Sequence, residues 1–221
     1  GYYFIYDNLW RLLGRDYKIN LKTLSKYLYL KTRFVLNIHY YSKRGVNGFI
    51  VSVYPNSFPI QATLSAGFCG KDLEIALSLY RIYLINKDKK LKEIAFKVAN
   101  FHCIPQVKNG LLLSDYNLFS RSWYGYYPLR IKMANTRMMG ETGYFLLRLY
   151  EYALRNNEAN KLWFNTAKKI GDFMVKHQLE SGSFGKWWSL SGRKVIDSGT
   201  NGAYIIWLLC ELYKLTKSDE Y

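Results

Sequence analysis

Three carboxylates lie in glycine-bearing stretches of the sequence, where an acidic side chain can be presented to a ligand. Asp115 stands in LLLSDYN shortly after Gly110, Glu141 stands in MGETG, and Asp197 stands in IDSGTNGAY. Cleavage of a glycosidic bond needs one protonated carboxyl group and one ionised carboxylate, in environments that hold their pKa values apart. Asp115, Glu141 and Asp197 are therefore candidate catalytic residues, and the sequence does not assign acid and base among them.

Two of these carboxylates also have a structural interpretation. Asp197 precedes an apolar helix and can cap its N-terminus, although Ser198 and Thr200 can cap it equally well and leave Asp197 free. Glu141 can form an ion pair with Arg137, four residues earlier. A carboxylate in such an apolar helix is costly to bury unless it is paired or functional. Both interpretations stay open at this level.

Aromatic side chains accompany the candidate carboxylates. HQLESGSFGKWW ends in Trp187 and Trp188, and SWYGYY contains Trp123 and Tyr126. Flat, rigid aromatic rings match the C–H faces of sugar rings and lose little entropy on binding. We predict that at least one of the two adjacent tryptophans is a sugar platform while the other anchors its loop. Trp123 and Tyr126 are further candidate substrate contacts.

A second chemistry is open to the same region. Elimination on a uronic acid needs groups that neutralise the sugar carboxylate and abstract the neighbouring proton. Arg137, Asn135, Tyr124 and Tyr126 are of the right types. The excess of 32 Lys and Arg over 16 Asp and Glu, a net charge of +16, favours such an acidic carbohydrate. The basic residues are scattered and form no stripe, so a nucleic-acid partner is not predicted.

The elements that position these residues recur along the chain. Four leucine–aromatic pairs are spaced by 70, 70 and 63 residues, and each precedes a polar stretch that can turn the chain. After two of these stretches the apolar residues fall on one face at helical spacing, as in KLWFNTAKKIGDFMVKH. Each repeat is therefore a helical hairpin. The pairs are Leu9-Trp10, Leu79-Tyr80, Leu149-Tyr150 and Leu212-Tyr213.

The two helices of a hairpin differ in polarity. The first is apolar nearly all round, as in NGAYIIWLLCELY, and must be enclosed by other helices, whereas the second is apolar on one side only. Long connections at 39–59, which contains the strand-like GFIVSVYP, at 104–131 and at 179–197 lead into the enclosed helices. The N-terminal ends of these helices should therefore share one rim. Residues expected there are Asn135, Arg137, Glu141, Asp197 and Asn201.

This pattern resembles the six-hairpin, (α/α) toroid superfamily of carbohydrate-active enzymes. The resemblance covers residues 60–221 and is clearest in ANTRMMGETGYFLLRLYEY, QLESGSFGKWW and DSGTNGAYIIWLLCELYKLTKSDEY. It implies an all-α toroid of helical hairpins with short β segments in its long loops. It also implies a glycoside hydrolase that needs no cofactor and acts on an oligo- or polysaccharide.

The chain is too short for six such hairpins, since 221 residues supply about three and a half at this spacing. We therefore expect residues 1–221 to form a single, incomplete toroid domain or a fragment of a larger one. An open arc exposes the apolar surfaces of the inner helices to solvent, so a further segment, chain or subunit is expected to complete the ring.

The sequence leaves two functions to weigh against hydrolysis, namely glycan binding without catalysis and terpene cyclisation. A non-catalytic toroid that binds glycans is compatible with the absence of an unmistakable catalytic pair. Gln178, Gly182 and Trp187 resemble the Q…G…W repeat of terpene cyclases, but the motif occurs once and no DxDD cluster accompanies it. The sequence therefore disfavours a cyclase.

Neither a metal site nor a membrane span is predicted. The histidines and cysteines are isolated in sequence, which favours helix-end histidines and buried thiols over a zinc site or disulfides. No apolar run is long enough to cross a bilayer. The compartment stays open, although reduced cysteines are typical of the cytoplasm. The residues concerned are His39, His102, His177, Cys69, Cys103 and Cys210.

Overall fold

A computed structural model describes residues 21–53, 59–67, 71–197 and 202–221. Contacts divide the chain into two compact units, residues 1–37 and 38–221. Helix α1 spans Leu21–Phe34 in the first unit. A π-helical segment, Val35–His39, follows it along the chain. All the candidate residues belong to the second unit.

The second unit alternates long connections with helices. Strands β1 (Tyr40–Lys43), β2 (Val46–Val53) and β3 (Pro59–Ser65) precede helices α2 (Asp72–Asn86) and α3 (Lys89–Cys103). Strands β4 (Asp115–Asn117) and β5 (Ser122–Tyr124), a 3-10 turn (Tyr127–Leu129) and strand β6 (Ala134–Asn135) precede α4 (Thr136–Leu154) and α5 (Lys161–Lys176). Strands β7 (Trp187–Trp188) and β8 (Lys194–Ile196) precede α6 (Ala203–Thr216).

Short polar turns close the helical hairpins α2–α3 and α4–α5, as the sequence predicts. Lys87 ends α2 in the left-handed conformation, and the Asp88 side chain caps α3 by accepting a hydrogen bond from the Lys90 N–H at 3.0 Å. Asn160 caps α5 in the same way through the Leu162 N–H at 2.9 Å. These side chains satisfy amide groups that the first helical turn leaves unpaired.

Helices α2, α4 and α6 lie side by side, and α3 and α5 pack against them as a second layer. Glycines allow the close approach of α4 to α6. A Cβ atom at Gly140 would lie 2.7 Å from the backbone nitrogen of Ile205, and one at Gly143 would lie 2.8 Å from Leu208 Cδ2. The first helices of the hairpins therefore form an inner layer, as their polarity predicts.

Helix α6 is covered on one side only by the described residues. Its sequence predicts enclosure on all sides, yet Ile206, Trp207 and Tyr213 are exposed while Leu208 and Leu212 are buried. Periodicity predicts an apolar surface but not which neighbour covers it. The same exposed face carries Cys210, so a buried thiol is found for Cys103 and not for Cys210. Cys69 lies outside the residues that the structure describes.

Alanine at position 140 is expected to destabilise the protein by about 1–3 kcal/mol, because its methyl group meets the α6 backbone, which cannot rotate away. Alanine at Gly171 is the matched control, since there a Cβ approaches the end of the Leu212 side chain, which can change rotamer. Urea unfolding of both variants measures the difference. Equal losses would contradict the close α4–α6 backbone packing.

The long connections pair with one another through two antiparallel sheets. The five-stranded sheet runs in the order β1–β5 and joins the first two connections, with Ser65 opposite Asp115. The three-stranded sheet β6–β7–β8 joins the second and third connections, with Asn135 opposite Trp187. Since each connection leads into an inner helix, the N-terminal ends of α2, α4 and α6 share one rim, as expected from the sequence.

Candidate active site at the helix rim

Three side chains at the starts of three inner helices lie together at this rim. Lys71 immediately precedes α2, Glu141 lies in the second turn of α4, and Tyr204 lies in the first turn of α6. Lys71 Nζ forms an ion pair with Glu141 Oε1 and lies 5.8 Å from the centroid of the Tyr204 ring. The three positions are 70 and 63 residues apart, the spacing of the leucine–aromatic repeat, so they are equivalent positions in successive repeats.

Burial makes Glu141 the unusual member of this group. Its side chain is 0% exposed, whereas that of Lys71 is partly exposed. Gly67 leaves room for the carboxylate, since a Cβ atom there would lie 3.1 Å from the Cβ, Cγ and Cδ atoms of Glu141. The ion pair with Lys71 gives the buried carboxylate the partner that burial of a charge requires. A catalytic role for Glu141 stays a prediction. An additional pair between Glu141 and Arg137 stays a prediction.

The Lys71 ammonium is held in its charged form. Burial alone lowers the pKa of Lys71, but the hydrogen bond and charge of Glu141 outweigh it, and Tyr204 and Glu74 add to the effect, so the pKa is raised. Glu74 Oε2 lies 3.3 Å from Lys71 Nζ. A partly exposed cation at the rim can therefore bind an anionic group of a ligand while it remains paired with Glu141.

Aromatic rings lie beside this group. The Tyr204 ring is 5.1 Å from that of Trp207, and the Tyr144 ring is 5.6 Å from that of Trp207, measured between centroids. Trp207 is 52% exposed, so one large ring face is open. Sequence reasoning missed these residues because it assigned α6 to the enclosed core. They now form an aromatic face, Tyr144, Tyr204 and Trp207, that is suited to stack against a sugar.

A second polar cluster adjoins the rim, since Asp72 directly follows Lys71. Asp72 Oδ2 lies 2.7 Å from His102 Nε2, and both side chains are fully buried. Asp72 Oδ1 accepts a hydrogen bond from the Phe49 N–H at 3.2 Å. Burial raises the pKa of Asp72 to about 6, and His102 and the Phe49 N–H oppose this rise. The cluster ties the start of α2 to the end of α3 and to strand β2.

Asp115 belongs to this second cluster. It is buried in strand β4, and its Oδ2 accepts a hydrogen bond from the Tyr127 N–H at 2.9 Å. Its Oδ1 has no hydrogen-bond partner within the described part of the chain. Burial raises the pKa of Asp115 to about 6, against the opposing effects of the nearby Ser65 hydroxyl, the Tyr127 N–H and His102. A carboxyl group in this state can carry a proton near neutral pH.

Asparagine at position 115 is expected to stabilise the protein at pH 7 by about 3 kcal/mol, because the pKa rises from 3.8 to about 6 on folding. A group with a raised pKa contributes its full stability below about pH 3.8 and loses it as the pH rises through about 6. Asparagine stays neutral, so the variant does not lose this part of the free energy of unfolding as the pH rises. Urea unfolding between pH 4 and pH 7 measures this. Parallel pH profiles for the wild type and the variant would contradict the buried carboxyl.

The third connection holds Asp197 in a different environment. Its side chain is 63% exposed and Oδ2 lies 3.3 Å from Lys194 Nζ. The interpretation of Asp197 as a helix cap is wrong, since α6 begins at Ala203 with Gly202 in the capping position. A catalytic role for Asp197 stays a prediction.

Trp187 and Trp188 are both buried in the three-stranded sheet. Trp188 Nε1 donates to Thr136 Oγ1 at 3.1 Å and to the Phe184 carbonyl at 3.2 Å, which fastens the third connection to the start of α4. Stacking of either ring on a sugar stays a prediction that requires the connection to move. At the rim, the Trp207 ring is exposed instead.

The other predicted substrate contacts are distributed over the connections. Trp123 is half-buried and packs on Phe101, with 4.9 Å between ring centroids. Asn135 caps α4 by accepting a hydrogen bond from the Met138 N–H at 3.2 Å. Tyr124 is buried, and Tyr126 and Arg137 are half-buried. Asn201 lies outside the described residues.

The histidines near helix ends are found where the sequence predicts them. His102 lies in the last turn of α3, and His177 follows α5, where its Nδ1 is 2.7 Å from the Phe173 carbonyl oxygen. The pairing of His102 with Asp72 was not predicted. Within the described ranges, no three His, Cys, Asp or Glu side chains are grouped as metal ligands would be. No helix there is long and apolar enough to cross a membrane.

Comparison with known proteins gives structural matches alone. No protein-family model and no curated sequence matches the chain. D-mannose isomerase matches with a TM-score of 0.69 at 13% identity, over 91% of this chain and 52% of that one. The GH76 alpha-mannanase of Bacteroides thetaiotaomicron matches with a TM-score of 0.62 at 15% identity, over 92% and 53%. The family 10 polysaccharide lyase of Cellvibrio cellulosa matches with a TM-score of 0.59 at 14% identity, over 86% and 62%.

These structures share the (α/α)6 toroid architecture. The chain has the (α/α) toroid fold. It spans about half the length of the first two matched structures. The toroid that the sequence predicts is thus confirmed as a fold, while identities this low leave the reaction to be inferred from the site.

Proposed function

We propose that this toroid belongs to a glycoside hydrolase that cleaves an oligo- or polysaccharide at the rim of the inner helices. The observation that carries the proposal is the buried Glu141 carboxylate, held by Lys71 beside an open aromatic face. A carboxylate fixed next to a surface on which a sugar ring can stack supplies one of the two carboxyl groups that glycosidic cleavage requires. The matched structures named for carbohydrate enzymes support the same class of substrate.

Glu141 supplies one of the two carboxylates in this proposal. It activates water or attacks the anomeric carbon, and Lys71 fixes its position. The second carboxyl group protonates the leaving oxygen, and Asp115 and Asp197 are the candidates for it. Asp115 has a pKa of about 6, which suits an acid near neutral pH, whereas the exposed Asp197 is open to solvent.

An acidic sugar is the favoured substrate class. The ammonium group of Lys71 is partly exposed at the rim, and the chain carries a net charge of +16. A uronic acid or sulfated residue can therefore be drawn to the rim and held there by charge.

A polysaccharide lyase is the second candidate, favoured by the Lys71 ammonium lying 5.8 Å from the Tyr204 ring. In that case Lys71 and Arg137 neutralise the uronate carboxylate, and a tyrosine hydroxyl accepts or returns the proton. Elimination leaves an unsaturated sugar, whereas hydrolysis does not.

Product analysis tests the proposal. The full-length protein is incubated with uronic-acid oligosaccharides and with neutral gluco- and manno-oligosaccharides, and new reducing ends and unsaturated products are measured separately. New reducing ends without ultraviolet absorbance are expected. Products that absorb ultraviolet light would show that the enzyme is a lyase and not a hydrolase. If these sugars bind and neither product forms, the protein is a glycan-binding toroid and the proposal of an enzyme is overturned.

A further inference from the structure

A cavity of about 390 Å³ lies on the outer part of the five-stranded sheet. This volume is in the range of pockets that hold small ligands. The β1–β2 hairpin forms one side, and strand β4 with the turn that follows it forms the other. None of the rim residues Lys71, Glu141 and Tyr204 lines it, so it is a separate candidate site.

Cations dominate the charge of this cavity. Lys43, Arg44 and Arg121 line it, and no acidic side chain does. Among the residues that the structure describes, none of these three cations forms an ion pair. Like charges that converge without a counter-charge repel one another, and an anionic ligand relieves that repulsion.

Two of the cations occupy backbone conformations that glycine adopts more readily. Arg44 has φ of 52° and Arg121 has φ of 50°, both in the left-handed region. Arg44 opens the two-residue turn of the β1–β2 hairpin with Gly45, whose φ is 80°. Such turns favour asparagine or glycine at the first position. Lys87, Arg130 and Lys217 share this conformation, so it does not by itself mark the cavity. It does mean that glycine can replace Arg44 and Arg121 without backbone strain.

The rest of the cavity is a firm aromatic and apolar surface. Tyr116 belongs to the buried cluster that it forms with Leu64 and Phe101. The other lining side chains that are not cations pack against this cluster. Tyrosine faces suit the C–H faces of a sugar ring, and the arginines suit a carboxylate or sulfate group. The lining side chains that are not cations are Tyr41, Val46, Tyr116 and Leu118.

We infer that this cavity binds an anionic saccharide residue, with its carboxylate or sulfate group on Arg44 and Arg121 and its ring against the tyrosines. The inference goes beyond the proposed reaction, because the cavity contains no group assigned to bond cleavage. It predicts binding whether or not the rim catalyses hydrolysis.

The left-handed arginines allow a test that does not disturb folding. The double variant Arg44→Gly, Arg121→Gly removes two charges and places glycine where φ favours it, so its stability is expected to equal or exceed that of the wild type. The control Lys87→Gly, Arg130→Gly removes the same charge from two left-handed positions outside the cavity, with φ of 61° and 52°. The control thus matches both the net charge and the backbone effect.

Binding is measured in the full-length protein carrying Glu141→Gln, which prevents turnover. Titration with galacturonic acid trimer is followed through the methyl NMR signals of Val46 and Leu118, which line the cavity. Saturable shifts are expected, and the arginine double variant should bind at least about ten-fold more weakly while the control binds as the parent does. A neutral cello-oligosaccharide of the same length should give much smaller shifts.

Three results would overturn the inference. Equal affinity of the arginine double variant and the control would show that the arginines do not hold the ligand. Equal binding of the neutral and acidic trimers would show that the cavity does not recognise the anionic group. Shifts with inorganic sulfate but with neither saccharide would leave a site for a free anion alone. The catalytic proposal is tested by product formation in the wild type. The catalytic proposal and the cavity inference can therefore fail independently.

Discussion

Turnover of an oligosaccharide substrate is expected to fall about a thousand-fold when Glu141 is replaced by glutamine. Glutamine has nearly the same shape and keeps a hydrogen-bond acceptor for Lys71, so the fold and the Michaelis constant should change little. It removes the carboxylate, and with it the proton acceptor or nucleophile. Steady-state kinetics on the substrate identified by product analysis, together with thermal unfolding of the variant, measure the effect.

Glu158→Gln is the matched control for this prediction. Glu158 is also paired with a lysine and a tyrosine, accepting hydrogen bonds from Lys92 Nζ at 2.8 Å and from the Tyr80 hydroxyl at 2.9 Å. It lies at the short turn between α4 and α5 and not at the rim. Its variant should keep the wild-type turnover number. If Glu141→Gln retains activity within about ten-fold of the wild type, Glu141 does not carry the chemistry.

The largest effect on stability is expected from His102→Leu, which should lower the free energy of unfolding at pH 7 by about 3 kcal/mol or more. The substitution leaves the fully buried Asp72 without the imidazole 2.7 Å away. Asp72 has a pKa of about 6 in the folded protein against 3.8 in the unfolded chain. Protonation of Asp72 therefore stabilises the fold fully below about pH 3.8, and this stabilisation is lost as the pH rises through about 6. The loss should therefore be smaller at pH 5 than at pH 7.

A double variant separates the pair from general loss of packing. Removing both partners, as Asp72→Asn with His102→Leu, should cost less at pH 7 than removing His102 alone, because no buried charge remains. Urea unfolding at both pH values measures all three proteins. If the double variant is less stable than His102→Leu, or if the loss is the same at pH 5 and pH 7, the buried pair does not govern stability.

The helical hairpins and their common rim could be predicted because helix periodicity is local and repeats along the chain. Glu141 could be singled out because a carboxylate in an otherwise apolar helix needs a reason. The repeat also held a signal for its partners. Lys71 and Tyr204 precede Leu79 and Leu212 by the same eight residues that separate Glu141 from Leu149. Aligning the repeats on their leucines would have brought all three side chains to one place.

Other parts of the site depend on tertiary packing that no local pattern reports. The pairing of Asp72 with His102 arises only when the sheet, α2 and α3 pack together. Trp187 and Trp188 follow a glycine-rich stretch that indicates an open loop, yet sheet pairing with β6 and β8 buries them. Conversely, the sequence of α6 predicts a core helix, and its exposed Trp207 is known only from the positions of its neighbours.

The position of a bound sugar tests the assignment of the rim most directly. A crystal structure of the full-length Glu141→Gln protein with an acidic oligosaccharide should show a sugar ring on the aromatic face of Tyr144, Tyr204 and Trp207, its anionic group near Lys71, and a glycosidic bond beside the side chain at position 141. A bound oligosaccharide with no contact to Lys71, Trp207 or position 141 would contradict the assignment of the rim as the active site.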